Sequence, residues 1–299
     1  MTWLAEIEGT EAGQKLALVL ALNAAFLHAI FGALQKGEQN PWLVRGAIDV
    51  FVFLFALPIA FFVVPWPRGS EWGLLLGAFV IHFFYKYGMA KAYELGAYTV
   101  VYPIVRGMGP LFTVLGAYVV FDERFTGVQW IGVAVLLAGI FGLAIYNFAK
   151  LEEGRETLIP ALLFAVATGA LVALYTTWDA YGMRATPNPF TFLFWFFLLD
   201  GLNFIWLSRL KYKVLVTKPP LAPLMKRGAL GALIAFGSFG SVMMATRLDK
   251  VGEAAILRET STVFAALIGW LILKETVGPR RLALMALIAG GAVIVEMGG

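Results

Sequence analysis

The sequence predicts an all-α membrane protein of ten transmembrane helices arranged as two inverted five-helix repeats. Three observations lead there. Of the 299 residues, 60% are hydrophobic and only 14% charged, against roughly 45–50% and 25% in an average soluble domain. Ten apolar runs are each near the length needed to cross about 30 Å of hydrocarbon. The second half of the chain lies over the first without a gap across its later helices, with matching residues at several positions.

The runs fall at 16 to 34, 43 to 64, 72 to 93, 98 to 121 and 127 to 147, then at 157 to 178, 189 to 208, 228 to 246, 251 to 273 and 279 to 296. Their connectors are short and rich in Pro, Gly and charge, as in PWPRGSE at 65 to 71 and KYKVLVTKPPLAP at 211 to 223. No segment outside them is large enough for an aqueous catalytic domain. Glu6, Glu8 and Glu11 precede the first run, unlike the basic start of a cleaved signal peptide, so that helix is expected to stay in the mature protein. The net charge of +4 comes mostly from Lys and Arg in connectors, where they mark topology and not nucleic acid. With no cysteine and only two histidines, thiolate chemistry, a metal site and a cofactor box are not expected.

GPLFTVLGAYVVFDERFTGVQWIGVAVLLAGIFGL (109 to 143) lies without a gap over STVFAALIGWLILKETVGPRRLALMALIAGGAVIV (261 to 295). Phe112 then falls on Phe264, Glu123 on Glu275, Gly139 on Gly291 and, extended backwards, Arg106 on Arg258. A short gap brings Asn40 and Pro41 over Asn188 and Pro189. The chain divides into 1–150 and 151–299. Because five is odd, consecutive copies enter the membrane from opposite sides, giving a pseudo-two-fold axis in the membrane plane.

The doubled five-helix unit, with a Glu just after the fourth helix of each copy (FDERFTGVQWIG and LKETVGPRRLAL), resembles the EamA-type transporters of the drug/metabolite transporter superfamily. The resemblance implies an alternating-access carrier, a permease of the bacterial inner membrane, with a central cavity formed by both halves and a scaffold held by the fifth and tenth helices. It leaves the substrate open. The expected cargo is a small organic anion or a zwitterion such as an amino acid, in a proton-coupled exporter or exchanger acting as monomer or homodimer. The alternative is a membrane-embedded lipid-handling protein or enzyme whose arginines bind headgroup phosphates.

Intramembrane polar residues are the candidates for chemistry. An arginine at the bilayer centre costs about 2.5–3.5 kcal/mol on insertion scales, so Arg106 and Arg258 need a partner or a ligand. Pro110 removes the N–H that would bond the Arg106 carbonyl, and with Gly107 and Gly109 it predicts a weakened helix there. Glu259 follows Arg258, but adjacent helical residues point in different directions, so the two are not automatically a pair. His28, Tyr85, Lys86, Tyr102 and Trp178 are further substrate-binding candidates, each with an alternative as packing, snorkelling or interface belt. Asp200 lies near mid-span with Asn203 one turn on and reads equally as counter-ion of an arginine or as a proton-coupling group. Glu259 is the first coupling candidate and Asp200 the second. Glycines 139, 142, 290 and 291 read as helix packing. The family resemblance implies cytoplasmic termini, whereas basic residues outnumber those on the terminal side by roughly twofold or more in the opposite connectors, so the positive-inside rule puts both termini outside.

Overall fold

The computed structural model describes residues 3–35, 40–96, 98–149, 157–271 and 278–299, and among them every regular element is a helix. In chain order these are α1 (Trp3–Ile7), α2 (Glu11–Gln35), α3 (Pro41–Phe62), α4 (Glu71–Leu95), α5 (Tyr98–Phe121), α6 (Gly127–Ala149) and α7 (Leu158–Ala185). They continue as α8 (Pro189–Asp200), α9 (Ile205–Val214), α10 (Leu221–Leu248), α11 (Val251–Arg258), α12 (Ser261–Leu271) and α13 (Pro279–Met297).

Eight helical spans among the described residues are long and apolar enough to cross a membrane, α8 and α9 together making one of them. The remaining two expected runs are helical but fall outside that set. The ninth is divided into α11 and α12, and the tenth, α13, begins with Arg280 and Arg281 and nearly ends with Glu296. Side chains such as Val119, Ile145 and Ile159, on spans α5, α6 and α7, project outward and are at least 67% exposed. So many exposed apolar groups on a soluble protein would aggregate it; here they face lipid.

The paired Asn-Pro motifs have one physical meaning. Asn40 Oδ1 accepts from the Trp42 N–H at 3.0 Å, and Asn188 Oδ1 accepts from the Phe190 N–H at 3.1 Å. Each Asn caps a helix whose first residue is a proline, which has no N–H to leave unsatisfied and a φ already suited to the helix.

Helix association in lipid is driven by close van der Waals fit and not by removal of apolar surface from water. Small residues therefore mark the tightest seams. A Cβ on Gly291 of α13 would sit 2.6 Å from the Gly132 carbonyl oxygen of α6, and Gly139 faces Ile288 and Leu284 in the same seam. Gly142 meets Leu284, but nothing lies within 4 Å of a Cβ at Gly290, so that residue is not part of the packing expected of it. Helix α2 packs on α10 and α4 on α7; α5 packs on α7, and α11 and α12 pack on α2. Helix α3 lies against α10 and α8, α4 against α8, and α5 against α11. The aromatic core is dense around α8, where Phe192, Trp195, Phe196 and Phe197 are buried.

The helix break beside the arginines differs from expectation. Helix α5 runs without interruption through Pro103 and Pro110, so the weak point expected beside Arg106 is not a break. The break lies at the repeat-related position, between Arg258 and Ser261. There the Glu259 N–H bonds Ile256 O and the Thr260 N–H bonds Leu257 O, while the Thr262 N–H turns to Glu259 O. In a continuous helix the Thr262 N–H would serve Arg258 O; the tightened turn releases that carbonyl.

Candidate polar site between the helices

The released Arg258 carbonyl is taken by Arg106. Its Nη2 donates to Arg258 O at 3.1 Å and to Ser261 Oγ at 3.0 Å, and its Nε stands 2.7 Å from Glu259 Oε2. All four residues are buried. Arg106 is thus neutralised by Glu259 and locked to the broken helix, with Tyr102 beside the guanidinium at 5.9 Å to its ring centroid. His28 on α2 lies within electrostatic reach of both Arg106 and Arg258.

Arg258 is placed differently. Its Nη2 donates to the Tyr175 hydroxyl at 3.1 Å and its guanidinium lies over Phe239 at 5.6 Å. Among the described residues it makes no ion pair within 4 Å, although it is 5% exposed. It borders a narrow crevice between α7, α10 and α11. The adjacent acid, Glu259, serves Arg106 across the helix interface, because the tight turn after Arg258 rotates the two side chains apart.

A second charged cluster lies on α3, α4, α7 and α8. Lys86 Nζ is 2.7 Å from Asp49 Oδ2 and 2.9 Å from Asp200 Oδ1, and it donates to the Asp200 carbonyl at 2.7 Å. Arg45 Nε is 3.1 Å from Asp49 Oδ1, and Arg45 Nη2 is 3.7 Å from Asp200 Oδ2. His82 Nε2 lies 2.8 Å from Asp179 Oδ2, and Asn203 donates to Asp200 Oδ1 at 3.3 Å. The expectation that Asp200 answers an arginine holds only through Arg45; its close partner is Lys86. Lys86 does not snorkel, since its ammonium is spent on two carboxylates and a carbonyl.

Tyr175 joins the clusters. Its hydroxyl receives the Arg258 bond, while its ring lies tilted 4.4 Å from the His82 ring and meets the Tyr85 ring edge-on at 4.9 Å. Tyr85 is therefore at the junction. Trp178 is not: its indole N–H donates to the Leu74 carbonyl at 2.8 Å and its ring covers Gly77, which makes it part of the α4–α7 seam.

Charge bookkeeping follows from these contacts. The first cluster sets Arg106 and Arg258 against Glu259, a formal excess of one positive charge. The second sets Arg45 and Lys86, with His82 on Asp179, against Asp49, Asp179 and Asp200. Tyr175 lies between the two clusters.

Two residues of this site, Arg45 and Asp49, lie beyond the expected set; they stand four apart inside the second apolar run, a spacing that pairs them on one helix face. His82 stands four before Lys86 on the same face, and Asp179 lies at the end of the sixth run, where an acid reads as hydrated because its partner is on another helix. The Glu of the repeated motif also gains a role. Glu123 Oε1 and Oε2 accept from the Val251 and Gly252 N–H groups at 2.9 and 3.1 Å, capping α11, and Arg184 Nη2 approaches Oε1 at 3.4 Å. Its counterpart Glu275 lies outside the described residues.

Among the described residues no group of His, Asp and Glu is arranged to hold a metal. No curated protein matches the sequence. One solved crystal structure of a protein has the same fold, with a TM-score of 0.74 over 94% of this chain and 96% of that one at 18% identity. The model of the EamA-like transporter family matches residues 159–297. This multi-pass helical membrane protein, with its charged site enclosed between the helices, is similar to the EamA-like transporters over its second half, residues 159–297.

Proposed function

We propose that the chain is a secondary carrier in the bacterial inner membrane, moving a small organic anion or zwitterion by alternating access. One observation carries this reading: Arg258 is a buried guanidinium beside a crevice, at a helix break, with no carboxylate within ion-pair distance among the described residues. An uncompensated cation at that depth is costly unless a ligand meets it. The burial of the charges between helices favours a carrier over a lipid-handling protein.

The packing supports ten spans in two inverted repeats, 1–150 and 151–299. Exchanging α2 with α7, α3 with α8 and α9, α4 with α10, α5 with α11 and α12, and α6 with α13 turns the α2–α10 contact into α7–α4. The same exchange turns α5–α7 into α11 and α12 against α2, and α3–α10 into α8–α4. Such symmetry supplies two related states around one central site. Arg106 and Arg258 are related positions in unlike environments, one held by Glu259 and one not.

Glu259 is the proposed proton-exchanging group: when protonated it gives up its hold on Arg106, loosening the tie between α5 and the broken helix. Asp200 stands second, because it is already paired with Lys86 and approached by Arg45. The test is transport in proteoliposomes with labelled small organic anions and amino acids. Glu259→Gln is expected to keep exchange and to lose accumulation driven by a proton gradient. Gradient-driven accumulation at the wild-type level would overturn the coupling role, and absence of any transport by the wild type would overturn the carrier.

A further inference from the structure

The crevice beside Arg258 presents an anion as well as a cation. Asp179 on α7 is 3% exposed and lines the same crevice. One of its oxygens, Oδ2, is held by His82 at 2.8 Å; the other, Oδ1, is buried with no hydrogen-bond partner. A buried carboxylate oxygen left unsatisfied is costly, so its persistence at a crevice points to a donor arriving from outside the chain. Between Asp179 and Arg258 stands Tyr175, and across from them Phe239, Val242 and Met243 form an apolar wall.

We propose that this crevice recognises a zwitterion: its anionic group on Arg258, its ammonium group on Asp179 Oδ1, and an apolar body against Phe239, Val242 and Met243. This rests on the carrier reading above and narrows its substrate class. The charge distribution makes the choice. Among the described residues Arg258 makes no ion pair within 4 Å, and Asp179 keeps one carboxylate oxygen without a partner. A simple anion would neutralise the first and bring a second negative charge toward Asp179; a simple amine would do the reverse. Only a molecule bearing both charges neutralises both ends, and the low dielectric of the site magnifies the difference. His82 acts as a positioning residue by fixing the Asp179 carboxylate through its outer oxygen. The crevice is narrow, so the bound state has α10 displaced from α7 to admit the apolar body.

The experiment measures thermal protection of the purified full-length protein by three matched series. These are leucine, methionine and phenylalanine; their N-acetyl derivatives, which keep the carboxylate and lose the ammonium; and the corresponding amines, which lose the carboxylate. The amino acids are expected to protect at concentrations at least tenfold below either truncated series. Asp179→Asn, which keeps an oxygen for His82, is expected to weaken protection by the amino acids at least tenfold. Equal protection by the N-acetyl acids would overturn the zwitterion assignment and leave an organic-anion carrier standing. No protection by any of the nine compounds would overturn both. If Asp179→Asn does not fold, the comparison of the three series on the wild type decides the matter alone.

Discussion

Removal of Arg106 tests whether that residue meets a substrate or braces the helices. In the structure it is a brace: Glu259 at 2.7 Å, Ser261 at 3.0 Å and the Arg258 carbonyl at 3.1 Å, all buried. Arg106→Met leaves the Glu259 carboxylate without its counter-ion and the Arg258 carbonyl without its donor. Breaking a buried pair from one side costs about 3–5 kcal/mol, because the remaining charge stays desolvated. At roughly 2–4 °C per kcal/mol for chains of some 200 residues, the apparent melting temperature falls by about 6–20 °C. Arg258→Met removes one hydrogen bond and a contact with Phe239, with no ion pair within 4 Å among the described residues; its loss stays within about 1.5 kcal/mol. The double variant Arg106→Met/Glu259→Leu deletes the pair from both sides and recovers most of the loss. The assay is intrinsic-fluorescence melting in one detergent at one scan rate, since irreversible unfolding makes the midpoint depend on both. Arg106→Met melting within 2 °C of wild type, or a double variant no better than the single, would refute the brace.

Three further outcomes follow from other contacts. Lys86→Met sets Asp49 and Asp200 against each other without the ammonium between them, and the apparent melting temperature is expected to fall at least as far as for Arg106→Met; Lys86→Met combined with Asp49→Asn is expected to regain part of it, and no fall in the single variant would refute the network. Glu123→Ala removes the cap from α11, worth about 0.5–2 kcal/mol, so hydrogen exchange at the Val251 and Gly252 amides is expected to accelerate about two- to thirtyfold, and unchanged exchange there would refute the cap. By the distribution of basic connectors, a green fluorescent protein fused after Gly299 is expected to stay dark in bacteria, as it does when exported unfolded; fluorescence at the level of a cytoplasmic fusion would place the termini inside.

Much of this protein is determined by its sequence alone. Apolar runs of membrane length favour helix, because no water is present to satisfy their backbone groups, and among the described residues the runs are helical, with turns interrupting the seventh and the ninth. The Asn-Pro caps are equally local, since the cap residue, the proline and the N–H they serve lie within three positions of one another. The cost of an arginine in the membrane depends on depth and not on neighbours, so Arg106 and Arg258 stood out before any contact was known. Pairing is another matter. Successive residues on a helix point about 100° apart, so Glu259 adjoins Arg258 in the chain and yet serves Arg106 on α5. The break that allows this comes from a tightened turn at Glu259 and Thr260 and not from Pro110. Lys86, Asp49, Asp179, His82 and Asp200 come from four helices and meet only because α3, α4, α7 and α8 pack together. Which cation is neutralised inside the protein and which is left to a ligand is a property of that packing, because it depends on the few ångströms between helices that no one helix encodes.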